Sequence, residues 1–98
     1  MKKIDREASS AFINKRRFKS KNTQVKIENN EAYMYLFGNL IARTKNNELF
    51  VNHCGWKTIT TRNRLNAFYG VKIRMFHGEF ILNEMGYMKD GWINVNKL

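Results

Sequence analysis

From Thr23 onward, apolar and polar residues alternate. Thr23, Val25 and Ile27 are interleaved with Gln24, Lys26 and Glu28, the period of two that marks a half-buried strand. Asn29-Asn30 then supplies a two-residue turn of the type that tolerates left-handed backbone. Glu31 to Phe37 reads as a second strand, with Tyr33, Tyr35 and Phe37 on one face and Ala32, Met34 and Leu36 on the other. A strand apolar on both faces belongs inside a sheet rather than at its edge. Gly38-Asn39 interrupts the run, and Leu40 to Thr44 continues as a third strand. Lys45-Asn46-Asn47 turns into a fourth, Glu48 to Asn52. Short loops of this kind join neighbouring antiparallel strands, so the simplest topology is a meander.

Two segments break the alternation. Ile4, Ala8, Ala11, Phe12 and Phe18 share one helical face, which predicts an amphipathic helix over Ile4 to Phe18 with a basic C-terminal end. Leu65, Phe68 and Tyr69 predict a short helix over Thr61 to Tyr69, with Thr60 or Thr61 as N-cap and Gly70 closing it. Val71 to Phe76, Glu79 to Asn83 and Trp92 to Val95 complete the strands, with a tight turn at His77-Gly78. The expected fold is α+β: a single antiparallel β-sheet (meander) with a basic N-terminal helix and a short central helix. Residues 1–22 are read as a basic amphipathic helical arm and residues 23–98 as the α+β core domain.

Charge then narrows the partner. The 98 residues carry 18 lysines and arginines against 8 acids, a net charge of +10. Lys2, Lys3, Arg6, Lys15, Arg16, Arg17, Lys19 and Lys21 all fall within residues 1–22, opposed there by Asp5 and Glu7. A surplus so placed calls for a polyanion, with nucleic acid the first candidate and an acidic protein surface the second. It also fits a helix that covers the sheet and is basic for solubility alone. No apolar run is long enough to span a bilayer, and no apolar leader core follows the basic start. The lone Cys54 rules out an internal disulfide. Together these features place the expected home in a reducing cytoplasm, with no membrane partner.

The catalytic inventory is thin. His53, His77 and Cys54 fall short of the four ligands of a structural zinc site. His53 and Cys54 would point to opposite faces of a strand. Glu79, Glu84 and Asp90 are scattered, and no phosphate-binding glycine loop is present. Neither a cofactor nor a metal is called for, and the expectation is a non-enzyme.

The binding inventory is richer. Basic and aromatic residues adjoin at Arg17-Phe18-Lys19, Gly55-Trp56-Lys57 and Arg74-Met75-Phe76, the combination that grips single strands by phosphate and base. Tyr33, Tyr35 and Phe37 serve a core or a stacking platform, and the sequence leaves both open. Arg62 and Arg64 lie at the positive end of the expected helix, where a phosphate would resolve the electrostatic conflict or water would simply solvate them. The candidate contacts are therefore Lys15, Arg16, Arg17 and Lys19 from the arm, with Lys57, Thr58, Thr60, Thr61, Arg62 and Arg64 from the threonine turn. Trp56 is the candidate stacking ring, and Asn63 or Asn66 the reader of a base edge.

Three blocks carry a resemblance: Asn22-Thr23; Gly38, Asn39, Ile41 and Ala42; and Gly55, Trp56, Thr58, Thr60, Thr61, Arg64, Leu65 and Asn66. Spanning about residues 22–68, they resemble a family of small proteins of tailed bacteriophages. The resemblance implies an accessory protein made inside an infected bacterium and brings no activity with it. Phe37 departs from the histidine common in relatives, which argues against a side-chain role there. Two functions follow as expectations. One is non-catalytic binding of nucleic acid, DNA before RNA. The other is inhibition of a host protein complex, either anti-defence of the anti-CRISPR kind or transcription takeover.

Overall fold

The computed structural model describes the whole chain, Met1–Leu98. Its elements are α1 (Lys3–Ile13), β1 (Phe18–Ser20), β2 (Thr23–Glu28), β3 (Glu31–Leu36), β4 (Asn39–Lys45), β5 (Glu48–Val51), α2 (Ile59–Asn66), β6 (Ile73–Phe76), β7 (Glu79–Leu82) and β8 (Ile93–Asn94), with a closing 3₁₀ turn at Val95–Lys97. Strands β1 to β5 and β8 form one antiparallel sheet in the order β1-β2-β3-β4-β5-β8. The single sheet expected from the sequence is therefore corrected: β6 and β7 lie outside it and form a separate two-stranded sheet. β8 joins the main sheet at its far end, pairing Ile93 with Val51.

Two-residue turns set the register. Asn29 and Asn30 have φ of 50° and 65°, and Asn46 and Asn47 have 52° and 63°. Two successive left-handed residues make the turn whose twist matches a hairpin, and asparagine tolerates it. The resulting pairing Val25↔Met34↔Ala42↔Val51 aligns one buried row across four strands. Ala8, Ala11 and Phe12 of α1 join that row in a core of 17 residues, with Leu65 of α2 and Phe68 just beyond it. The Phe12 and Phe68 rings meet edge to face at 4.9 Å between centroids.

Helix α1 is shorter than expected. Lys15 has φ of 52°, and the amides of Lys15 and Arg16 donate to the carbonyls of Phe12 and Ala11. That pair of bonds is a Schellman stop, built here on a lysine in the place glycine usually takes. The chain then reverses into β1, whose Phe18 pairs with Val25. Residues 1–22 thus contribute a helix packed on the core and an edge strand, β1, that the sequence did not predict. Helix α2 also departs from expectation. Thr58 is its N-cap, Ala67 its C-cap, and Tyr69 lies past its end, 98% exposed.

Candidate functional site

The threonine-arginine segment is mostly structural. Arg64, 4% exposed, forms an ion pair with Asp5 of α1. Its Nε donates to Thr23 Oγ1 at 2.9 Å and its Nη2 to Asn22 Oδ1 at 3.1 Å. Asp5 also accepts from the Lys2 amide through Oδ2 at 3.1 Å. Arg64 therefore rivets α2 to α1 and to the start of β2, and it is withdrawn from the list of phosphate contacts. Thr58 Oγ1 accepts from the Thr61 amide at 3.2 Å, the bond that caps α2. Thr61 is itself buried, with its hydroxyl 3.1 Å from that of Thr58. Asn66 accepts from the Ile73 amide at 2.6 Å and donates to the Ile73 carbonyl at 2.9 Å, so its side-chain amide is already engaged in fastening β6.

The other cations of this segment have partners too. Lys57 Nζ lies 2.7 Å from Glu79 Oε1, and that hydrogen bond raises the lysine pKa. Arg62 donates to the Asn63 side chain at 3.2 Å. Asn63 faces a shallow hollow with Met1, Lys2, Asp5 and Asn66. Arg74 is paired with Glu84 at 2.6 Å. The sequence expectation of one basic surface shared by the arm and the α2 cap does not stand on the α2 side. These cations already face oxygens of the protein itself.

The surface along β1 and β2 differs. Arg17, Lys19, Lys21 and Lys26 are exposed and none forms an ion pair. Lys15 is half-buried and Arg16 donates to Ser10 Oγ at 3.3 Å, likewise without a carboxylate. Lys19, Lys21 and Lys26 line an open groove of about 640 Å³ with Asn22, Gln24, Tyr35 and Phe37 and no acid. A neighbouring hollow adds Arg17, with Glu28 its one acid. Strand geometry explains the gathering. Residues that alternate with the buried row project from the opposite face of the sheet. The register there aligns Lys19↔Gln24↔Tyr35↔Leu40 and Lys26↔Tyr33↔Arg43↔Phe50, none of them buried. Lys26 Nζ sits 5.2 Å from the Tyr35 ring centre, and the Arg43 guanidinium 4.9 Å from that of Tyr33. Tyr33 and Tyr35 therefore belong to the open face, each with a cation at its ring.

Phe37 and Trp56 stand at the end of this surface. Phe37 has φ of 50° in the two-residue turn with Gly38 and is 70% exposed. Trp56 follows a second left-handed pair, Cys54 and Gly55, closed by its amide donating to the His53 carbonyl at 2.9 Å; its ring is 58% exposed. Both rings line a cleft of about 330 Å³ with Leu36, Asn39, Ile41, Thr58, Thr60 and Thr61. Phe37 also lines the lysine groove, so the two depressions adjoin. Of the expected contacts, the structure brings Trp56, Thr58, Thr60 and Thr61 together in the cleft, sets Lys19 in the groove and leaves Arg17 in the hollow beside it. Lys21, Lys26, Tyr35 and Phe37 were absent from the expected site. The strict alternation of β2 and β3 was the signal that could have placed Lys26 and Tyr35 on one open face.

His53 and Cys54 are tied into the fold. His53 Nδ1 accepts from the Gly55 amide at 2.9 Å, so the neutral ring carries its proton on Nε2. Nε2 is buried without a hydrogen bond, 3.3 Å from Asp90 Oδ1 but not aligned with it. Burial lowers the His53 pKa, only partly opposed by Asp90. Cys54 Sγ donates to the Leu40 carbonyl at 3.1 Å, and burial pushes its thiol pKa up, away from a nucleophilic thiolate. No three His, Cys, Asp or Glu side chains gather where they could hold a metal ion. No helix is long and apolar enough to cross a membrane.

No curated protein and no solved structure matches the chain. The family described as Kyanoviridae Gp96 protein matches residues 1–97, nearly the whole length, and the chain belongs to that phage protein family.

Proposed function

We propose that this phage protein binds nucleic acid without catalysis, through the open sheet face and the edge formed by β1, β2 and the β3–β4 turn. One observation carries the reading: Lys19, Lys21 and Lys26, none of them in an ion pair, line one acid-free groove beside Tyr35 and Phe37, whereas Lys57, Arg64 and Arg74 are each paired with a carboxylate of the protein. Lys19, Lys21 and Lys26 would meet phosphates along an acid-free groove, with Arg17 extending the track. Tyr35 and Phe37 would offer ring faces to bases. Charged side chains outside any ion pair can be redirected without breaking one, while Arg64 or Lys57 would first have to leave a carboxylate.

A gel-shift panel of single- and double-stranded DNA and RNA tests this at low salt. A shift that disappears as salt rises is expected, because each displaced phosphate contact lowers log K by about 0.7–0.9 per log unit of salt. Absence of any shift at low salt would overturn the reading.

A further inference from the structure

We infer that the cleft between Phe37 and Trp56 receives one unstacked base of a single strand whose backbone runs along the lysine groove. The inference rests on the nucleic-acid reading above and narrows it to single strands. Phe37 is the first reason. The Asn29-Asn30 and Asn46-Asn47 turns fill the same left-handed geometry with a residue that tolerates it. A phenylalanine there is disfavoured, and at 70% exposure its ring recovers little by burial within the protein. Trp56, across the cleft, is likewise presented by a left-handed pair with most of its ring in water.

The cleft suits a base in size and chemistry. At about 330 Å³ it stands at the small end of ligand pockets. Leu36 and Ile41 supply an apolar floor, and Asn39 and Thr60 hold side-chain polar groups at the rim that the fold does not otherwise bond. Phe37 divides the cleft from a groove carrying three lysines and no acid, so a base seated here keeps its phosphates beside Lys19 and Lys21. A base locked in a duplex stack cannot enter without being extruded, which confines this mode to single strands.

The test uses the full chain with Trp92→Phe, which leaves Trp56 as the lone tryptophan. Titration with oligothymidylate at low salt should quench Trp56 fluorescence with the midpoint seen in gel shifts, and a duplex of equal length should not quench it. Phe37→Asn should keep or raise the melting temperature, since asparagine tolerates this backbone. It should weaken single-strand binding about 5- to 150-fold, the range of one lost stacking contact, with the salt slope unchanged. Phe37→Trp should restore affinity. Suppose instead that oligothymidylate binds and responds to Lys19→Gln, while Phe37→Asn binds normally and Trp56 is not quenched. The base cleft is then overturned and the nucleic-acid reading survives. Equal quenching by the duplex would also overturn the cleft. Failure of every oligonucleotide to bind would overturn both.

Discussion

Arg64→Met is the substitution that most sharply separates a structural arginine from a phosphate ligand. The side chain keeps an unbranched apolar stem but loses the guanidinium that pairs with Asp5 and donates to Thr23 and Asn22. Asp5, only 2% exposed, would be left as a buried carboxylate without its counter-charge. Removing one partner of a buried pair costs about 3–5 kcal/mol. Domains of ordinary stability have roughly 5–15 kcal/mol in total, so the loss is a large share. In a domain this small each kcal/mol moves Tm by about 4–8 °C, so a fall of about 12–40 °C is expected. Urea unfolding followed by circular dichroism measures the loss directly. The double variant Asp5→Asn/Arg64→Met removes both charges and should recover about 1 kcal/mol or more, the coupling found within ion-pair networks. A single variant within about 0.5 kcal/mol of the parent, the scale of a surface substitution, would refute the rivet. Lost oligonucleotide binding at unchanged stability would return Arg64 to the interface.

Three smaller effects follow from the same contacts. Thr58→Ala removes the cap of α2 and should cost about 1 kcal/mol in urea unfolding. Asn66→Ala leaves the Ile73 amide and carbonyl without their side-chain partner, and about 1–3 kcal/mol of lost stability is expected. His53 is held neutral by burial, its folded pKa below the ordinary 6.5. As pH falls, the unfolded chain therefore takes up that proton first, so stability is intact above pH 6.5 and drops as pH falls through it. His53→Asn, which keeps an acceptor for the Gly55 amide, should flatten Tm between pH 7 and 5; an unchanged slope would assign the titration elsewhere.

Local chemistry made much of the sheet readable. Alternation over residues 23–28 and 31–36 matches β2 and β3, because one buried face imposes a period of two. Adjacent asparagines marked two hairpin turns for the same local reason. β1 is not legible because three residues are too few to show a period, and the end of α1 is hidden because its left-handed stop residue is Lys15 rather than glycine. The separate β6–β7 sheet depends on packing that no local pattern encodes. Arg64 could not be read from its neighbours at all, since Asp5 lies 59 positions away along the chain. Phe37 continues the strand pattern in sequence, and only its backbone angle and exposure reveal a ring turned outward.

The dependence of single-strand affinity on salt tests the central claim most directly, measured for the parent, for Lys19→Gln/Lys21→Gln/Lys26→Gln, and for Lys57→Gln. The slope of log K against log salt should shrink by about 2 in the triple variant, roughly 0.7 per lost phosphate contact on a single strand. Lys57→Gln should leave it unchanged, because that lysine already faces Glu79. A triple variant with the parent's slope, beside a Lys57→Gln protein with a reduced one, would move the interface from the lysine groove to the surface around Lys57.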